Sequence, residues 1–127
     1  MKLKEAPITP TIPAADMERA KRFYREKLDL EPAQDSPEGS YYELADGTGF
    51  LLYPSENAGK APTTYAGWNV DDVEAMVREL KAKGVQFENY DYPDLKTEEG
   101  IATMPDGSQA AWFRDSEGNI LAIAHMP

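Results

Sequence analysis

The side chains able to do chemistry in this chain are few and unevenly distributed. There is one histidine, His125, and no cysteine. Thiolate nucleophiles, disulfides and cysteine-based zinc sites are therefore absent. A Ser-His-Asp arrangement would have to use His125, which sits in no motif context for it. Neither a G-x-S-x-G elbow nor a nucleotide-binding glycine loop occurs. What the chain does carry is aromatic. Tyr41, Tyr53, Tyr65 and Trp112 all fall in strand-like stretches, with Glu43 close to the first of them. Flat rings beside one carboxylate suit a planar or cationic organic ligand. Tyr65 or Glu43 could also act as an acid or base.

Charge narrows the partners further. With 23 acidic residues against 13 basic, the net charge is -10. Such a surface repels phosphate backbones and anionic lipid, which excludes nucleic-acid and membrane roles, and it attracts cations. Acidity of this kind also simply keeps a protein soluble. The opening Met1–Pro7 lacks the apolar run of a signal peptide, and no segment approaches the roughly 20 apolar residues needed to cross a bilayer. A cytoplasmic protein is expected. The 127 residues suffice for a single domain with one core.

Two helices and a series of short strands must position these residues. Asp16 is placed to cap a helix running to about Leu28, with Met17, Ala20, Phe23 and Tyr24 along one face. A second helix begins at Asp71 or Asp72, repeats the stripe at Val73, Met76, Val77 and Leu80, and stops at Gly84. Strands are expected over Ile8–Pro13, Leu30–Ala33, Tyr41–Leu44, Phe50–Tyr53, Tyr65–Val70, Val85–Glu88, Ala110–Phe113 and Ile120–Ala124, with Ile101–Met104 also extended. Strand-helix-strand-strand-strand thus occurs twice, over about 7–54 and 63–127. The two copies differ in length. The hairpin glycines Gly47 and Gly118 are spaced more widely than the helix caps Asp16 and Asp72. The second copy is therefore longer between its helix and its last hairpin. The extra length falls in the segment from Asn89 to Gly107, which carries Tyr90 and Tyr92 among acidic residues. That segment reads as a lid or rim, or as a solvated loop.

The order of these pieces resembles the vicinal oxygen chelate superfamily of glyoxalases, bleomycin-resistance proteins and extradiol dioxygenases. Ala14-Ala-Asp-Met-Glu-Arg-Ala-Lys-Arg-Phe-Tyr is similar to its first-helix signature. Trp68-Asn-Val-Asp-Asp-Val is similar to the start of its second module. Trp112-Phe-Arg-Asp-Ser-Glu-Gly-Asn-Ile is similar to its closing aromatic-x-Asp-Pro-Asp-Gly-Asn motif, with Ser116 for proline and Glu117 for the second aspartate. The resemblance implies an α+β fold: two βαβββ modules forming a cup-shaped mixed sheet, with the helices on its outer face. It also implies a homodimer.

In the superfamily's metalloenzymes four ligands face the cup. Carried onto this sequence, those positions are Thr9 and Tyr65 on the first strands and Leu51 and Ala122 on the last. None is a good ligand for a divalent first-row metal. No metal and no cofactor are therefore expected, which points to the metal-free bleomycin-resistance-like branch. Strand alternation puts Ile12, Phe50, Leu52, Trp68, Leu121 and Ile123 under the helices. If Leu44 and Phe113 face the same way, Tyr41, Glu43 and Trp112 enter the cup. The expected ligand-binding set is Thr9, Tyr41, Glu43, Leu51, Tyr53, Tyr65, Trp112 and Ala122. The reading is a metal-free protein that sequesters an aromatic or cationic small molecule. Two others stand beside it: an enzyme of the superfamily with atypical ligands, and an association module whose cup is filled.

Overall fold

Asp16 and Asp72 open the two helices. In the computed structural model, which describes residues 1–127, the Asp16 side chain accepts from the Arg19 N–H at 3.1 Å and that of Asp72 from the Ala75 N–H at 3.0 Å. Helix α1 runs Met17–Leu28 and α2 runs Val73–Ala82. The first ends on Asp29 in the left-handed region, and Gly84 (φ 91°) follows the second. The i, i+3, i+4 rows bury Ala20 and Tyr24 of α1 and Val73, Val77 and Leu80 of α2. Neither helix is long and apolar enough to cross a membrane.

Each helix interrupts a four-stranded sheet. Strands β1 (Thr11–Ala14), β2 (Gln34–Ser36), β3 (Gly39–Glu43) and β4 (Gly49–Pro54) lie in the order β1-β4-β3-β2, with β1 parallel to β4. Strand β5 (Thr64–Asn69) is followed, after a small hairpin of β6 (Asp91–Tyr92) and β7 (Leu95–Lys96), by β8 (Ile101–Thr103), β9 (Gln109–Arg114) and β10 (Ile120–His125). Their order is β5-β10-β9-β8, with β5 parallel to β10, so the second sheet repeats the first. Two βαβββ units are present, and the fold is α+β. The sheets share no strand pairing, although β1 and β5 lie side by side.

Alternation sends Ile12, Tyr42, Phe50 and Leu52 from one sheet and Ala111, Phe113, Leu121 and Ile123 from the other into a single cluster with the helices. Phe50 stacks on Tyr42 at 4.7 Å and meets Trp68 edge-on at 6.2 Å, so the cluster spans both units. Each large buried side chain contributes roughly 1.5–3 kcal/mol.

Three expected strands differ. The first begins at Thr11 rather than Ile8, because Pro7 and Pro10 have no N–H to give a ladder. The second lies at Gln34–Ser36 rather than Leu30–Ala33: the Leu30 N–H closes α1 on the Tyr24 carbonyl at 2.9 Å, and Leu30 packs on the core. Val85–Glu88 makes one bridge, Phe87 to Phe113, before the chain leaves the sheet and returns as β8. The insertion therefore divides the edge strand of the second sheet.

The turn between β9 and β10 ties the units together. Buried Asp115 accepts from the Tyr24 hydroxyl at 2.7 Å, from the Asn119 amide at 3.0 Å and from the Glu117 N–H at 2.9 Å. Asn119 donates to the Pro13 carbonyl at 2.7 Å and accepts from the Gly59 N–H at 2.9 Å. The Glu117 side chain, fully buried, accepts from Arg19 Nε (2.8 Å) and Nη2 (3.0 Å), from the Asp16 N–H (2.8 Å) and from Ser116 Oγ (2.8 Å). One hairpin of the second unit thus holds the first helix, the first strand and the linker.

Candidate functional site

The sheet faces turned away from the core carry the candidate residues. On the first sheet Thr11, Leu51 and Tyr41 stand abreast, Tyr53 pairs with Pro13, and Glu43 pairs with Gly49 at the exposed end of β3. Gly49 sets the position of Tyr41: a Cβ there would lie 2.6 Å from the Tyr41 hydroxyl and 2.3 Å from the Tyr42 carbonyl oxygen. Only glycine lets that ring lie along the strand.

On the second sheet Trp112, Ala122 and Gly67 stand abreast, with the Ala110–Ala124 pair as the next rung. A half-buried indole is therefore surrounded by the smallest side chains in the set. Among these paired positions Trp112 is the one large apolar side chain. A groove of about 570 Å³ runs along the seam between the units, lined by Pro10 and Gly49 on one side and Gly67, Trp68 and Asn69 on the other.

Two of the residues picked from the sequence lie outside the regular alternation of these strands. Thr9 lies exposed, ahead of the first residue of β1. Tyr65 falls at a register shift, where β10 steps from Thr64 at Ile120 to Ala66 at Leu121. The bulge removes Tyr65 from the alternation, and its ring packs against the core. The remaining six, Tyr41, Glu43, Leu51, Tyr53, Trp112 and Ala122, keep the faces that alternation assigns them. Trp68 borders that groove and packs on the core side, lining an apolar cavity of about 180 Å³ with Leu28, Leu44, Met76 and Phe113.

A catalytic metal does not fit the residues present. Leu51 and Ala122 have no donor atom, the Thr9 and Tyr65 hydroxyls are poor substitutes for imidazole, and no group of three His, Cys, Asp or Glu side chains is placed to hold a metal ion. His125 makes a hydrogen bond from Nδ1 to the Val70 carbonyl at 3.0 Å, joining the ends of β5 and β10.

Reasoning from the sequence missed a contact to Trp112. The Glu88 N–H donates to the Trp112 carbonyl at 2.8 Å, Arg114 pairs with Glu88 at 2.6 Å, and the Tyr90 ring stands edge-on to the indole at 5.5 Å. Burial, and then the Glu88 charge, raise the Tyr90 hydroxyl above its ordinary range, so it remains a neutral donor at pH 7. The unequal spacing of the two copies located this segment in the sequence; its landing on Trp112 depends on the divided edge strand.

Comparison with known proteins places the geometry in context. The family model described as Glyoxalase/Bleomycin resistance protein/Dioxygenase superfamily matches residues 8–123. No curated protein matches the sequence. Among solved structures, UcmS2 superposes with a TM-score of 0.74 at 22% identity, covering 94% of this chain and 97% of its own. A lactoylglutathione lyase from Agrobacterium tumefaciens gives 0.71 at 18% identity, covering 94% and 92%. TnmS3, an antibiotic binding protein from Streptomyces sp. CB03234, gives 0.65 at 20% identity, covering 96% and 98%.

Proposed function

The chain belongs to the glyoxalase/bleomycin resistance protein/dioxygenase superfamily, and within it we propose a metal-independent binding protein that sequesters a planar aromatic or cationic small molecule. The fold serves a lyase in one neighbour and antibiotic binding in another, so the residues must decide. The observation that carries the reading is Trp112 abreast of Ala122: an aromatic platform stands beside a position where a metalloenzyme of the superfamily needs a ligand. Tyr41, Leu51 and Tyr53 supply a second apolar surface, Glu43 a carboxylate at its rim, and the net charge of -10 favours a cation. No bond chemistry follows from this set. Protein purified without an affinity tag should contain far less than one zinc, nickel, iron or manganese per chain by elemental analysis. A stoichiometric metal whose removal by chelator lowers stability would favour the superfamily's enzymes instead.

A homodimer belongs to the same proposal. Strand β2 ends the first sheet with an unpaired edge, and Leu3 and Ile8 of the N-terminal segment are each 91% exposed. Light scattering should give about twice 14.1 kDa. A sharp monomer mass at high micromolar concentration would remove this part of the reading.

A further inference from the structure

Resting on that reading, we propose that the insertion is itself part of the binding site: Tyr90, set at a steep angle to Trp112 and stacked with Tyr92, adds an aromatic wall to the Trp112 surface, so the site takes a cation of several rings that reaches both rather than a single ring. The rings form a continuous series, with Trp112 to Tyr90 at 5.5 Å and 71° and Tyr90 to Tyr92 at 6.1 Å and 24°. Tyr90 is held at its backbone. Its N–H donates to Thr97 Oγ1 at 2.9 Å, and its carbonyl accepts from the Thr97 N–H at 2.9 Å. The Asn89 side chain closes the base of the insertion by accepting from the Gly100 N–H at 3.0 Å and Thr97 Oγ1 at 3.2 Å. This is a fixed support, so stacking on it immobilises little further chain.

Tyr92 is the outer member and is 57% exposed. No core packing accounts for a large ring there, whereas a ligand lying against Tyr90 and Trp112 would cover it. The chemistry around the rings selects charge. Asp91 and Asp94 lie in the hairpin itself, and its one lysine, Lys96, stands opposite Asp91 in the strand register. A planar cation gains both stacking and attraction from such a rim.

The test uses 9-aminoacridine, a three-ring cation, titrated into the full chain with intrinsic fluorescence and calorimetry as readouts. Tyr92→Ala and Tyr90→Ala should each raise Kd about three- to tenfold. Tyr92→Phe, which keeps the ring, should stay within about twofold of the parent. Thermal melts and near-ultraviolet dichroism separate this from a folding defect, since exposed Tyr92 contributes little to stability. If Tyr92→Ala and Tyr90→Ala bind like the parent while Trp112→Ala does not, the insertion only covers a sheet edge, and this inference is wrong while the cup reading stands. If Trp112→Ala also binds like the parent, or no variant and no parent protein binds, both are wrong.

Discussion

Glu117→Ala is expected to lower the unfolding free energy by roughly 2–3 kcal/mol and Tm by about 10 °C. The carboxylate is fully buried, yet it accepts bonds from Arg19, the Asp16 N–H and Ser116, so truncation leaves three sets of donors unmatched at the junction of the two units. Arg19 is half exposed and regains water, which keeps the loss at the lower end for a broken buried pair. The pH dependence is specific. Burial pushes the Glu117 carboxyl up, but the bonds from Arg19, the Asp16 backbone and Ser116 outweigh it and bring it down from 4.5 to about 2. A depressed carboxyl stabilises the fold above its unfolded value and loses that contribution as pH falls through the folded value. The gap between parent and Glu117→Ala should therefore be constant above about pH 5 and shrink between about pH 4.5 and 2. Asp115 acts in the opposite sense. Burial raises its carboxyl despite the bonds from Tyr24 and Asn119, so acid relieves the cost of its charge. The parent's acid profile mixes both groups, and only the difference between parent and variant isolates Glu117. Urea titrations across this range check it. A loss below about 0.5 kcal/mol, the usual size for a surface change, would mean that the turn does not hold the units together.

Trp112→Ala should weaken a bound planar cation by at least about 30-fold, the loss associated with removing a central aromatic anchor of roughly 2 kcal/mol. The small residues abreast of it, Gly67 and Ala122, cannot substitute for the lost surface. Trp68→Phe is the control. Trp68 faces the core side and packs edge-on to Phe50, so its replacement should lower stability by about 1 kcal/mol and leave Kd unchanged. Glu43→Gln should weaken a cation more than its neutral analogue, and raised salt should narrow that difference. Equal effects of the two tryptophan variants on Kd would place the ligand elsewhere.

Which parts of this were legible in the sequence follows from the range over which each signal acts. Helix starts are local: Asp16 and Asp72 each bind an N–H three residues on, and the repeat is visible in their spacing. Period-2 alternation likewise kept Trp112 and Ala122 on the face opposite Phe113 and Leu121, because β9 and β10 pair without a shift there. Tyr65 was beyond that reasoning. A bulge is a property of two strands together, and counting along β5 alone cannot reveal it. The expected start of β1 at Ile8 gave the alternating pattern too much weight against the missing donors of Pro7 and Pro10. The links from Glu117 to Arg19 and from Asp115 to Tyr24 join residues 98 and 91 positions apart, a distance over which sequence spacing carries no signal. Their residues read as a family motif, and their physical task emerged only from the contacts. The greater length of the second copy marked the insertion, but the return of Tyr90 to Trp112 required knowing that it divides an edge strand.

The most direct test of the central claim, ligand binding without a metal, is a titration of 9-aminoacridine and a second planar cation, berberine, into chelator-treated protein, followed by tryptophan fluorescence. The account predicts a saturable change with the same midpoint before and after treatment with EDTA. A midpoint that appears only on adding zinc, nickel, iron or manganese, or no saturable change with either compound, would contradict it.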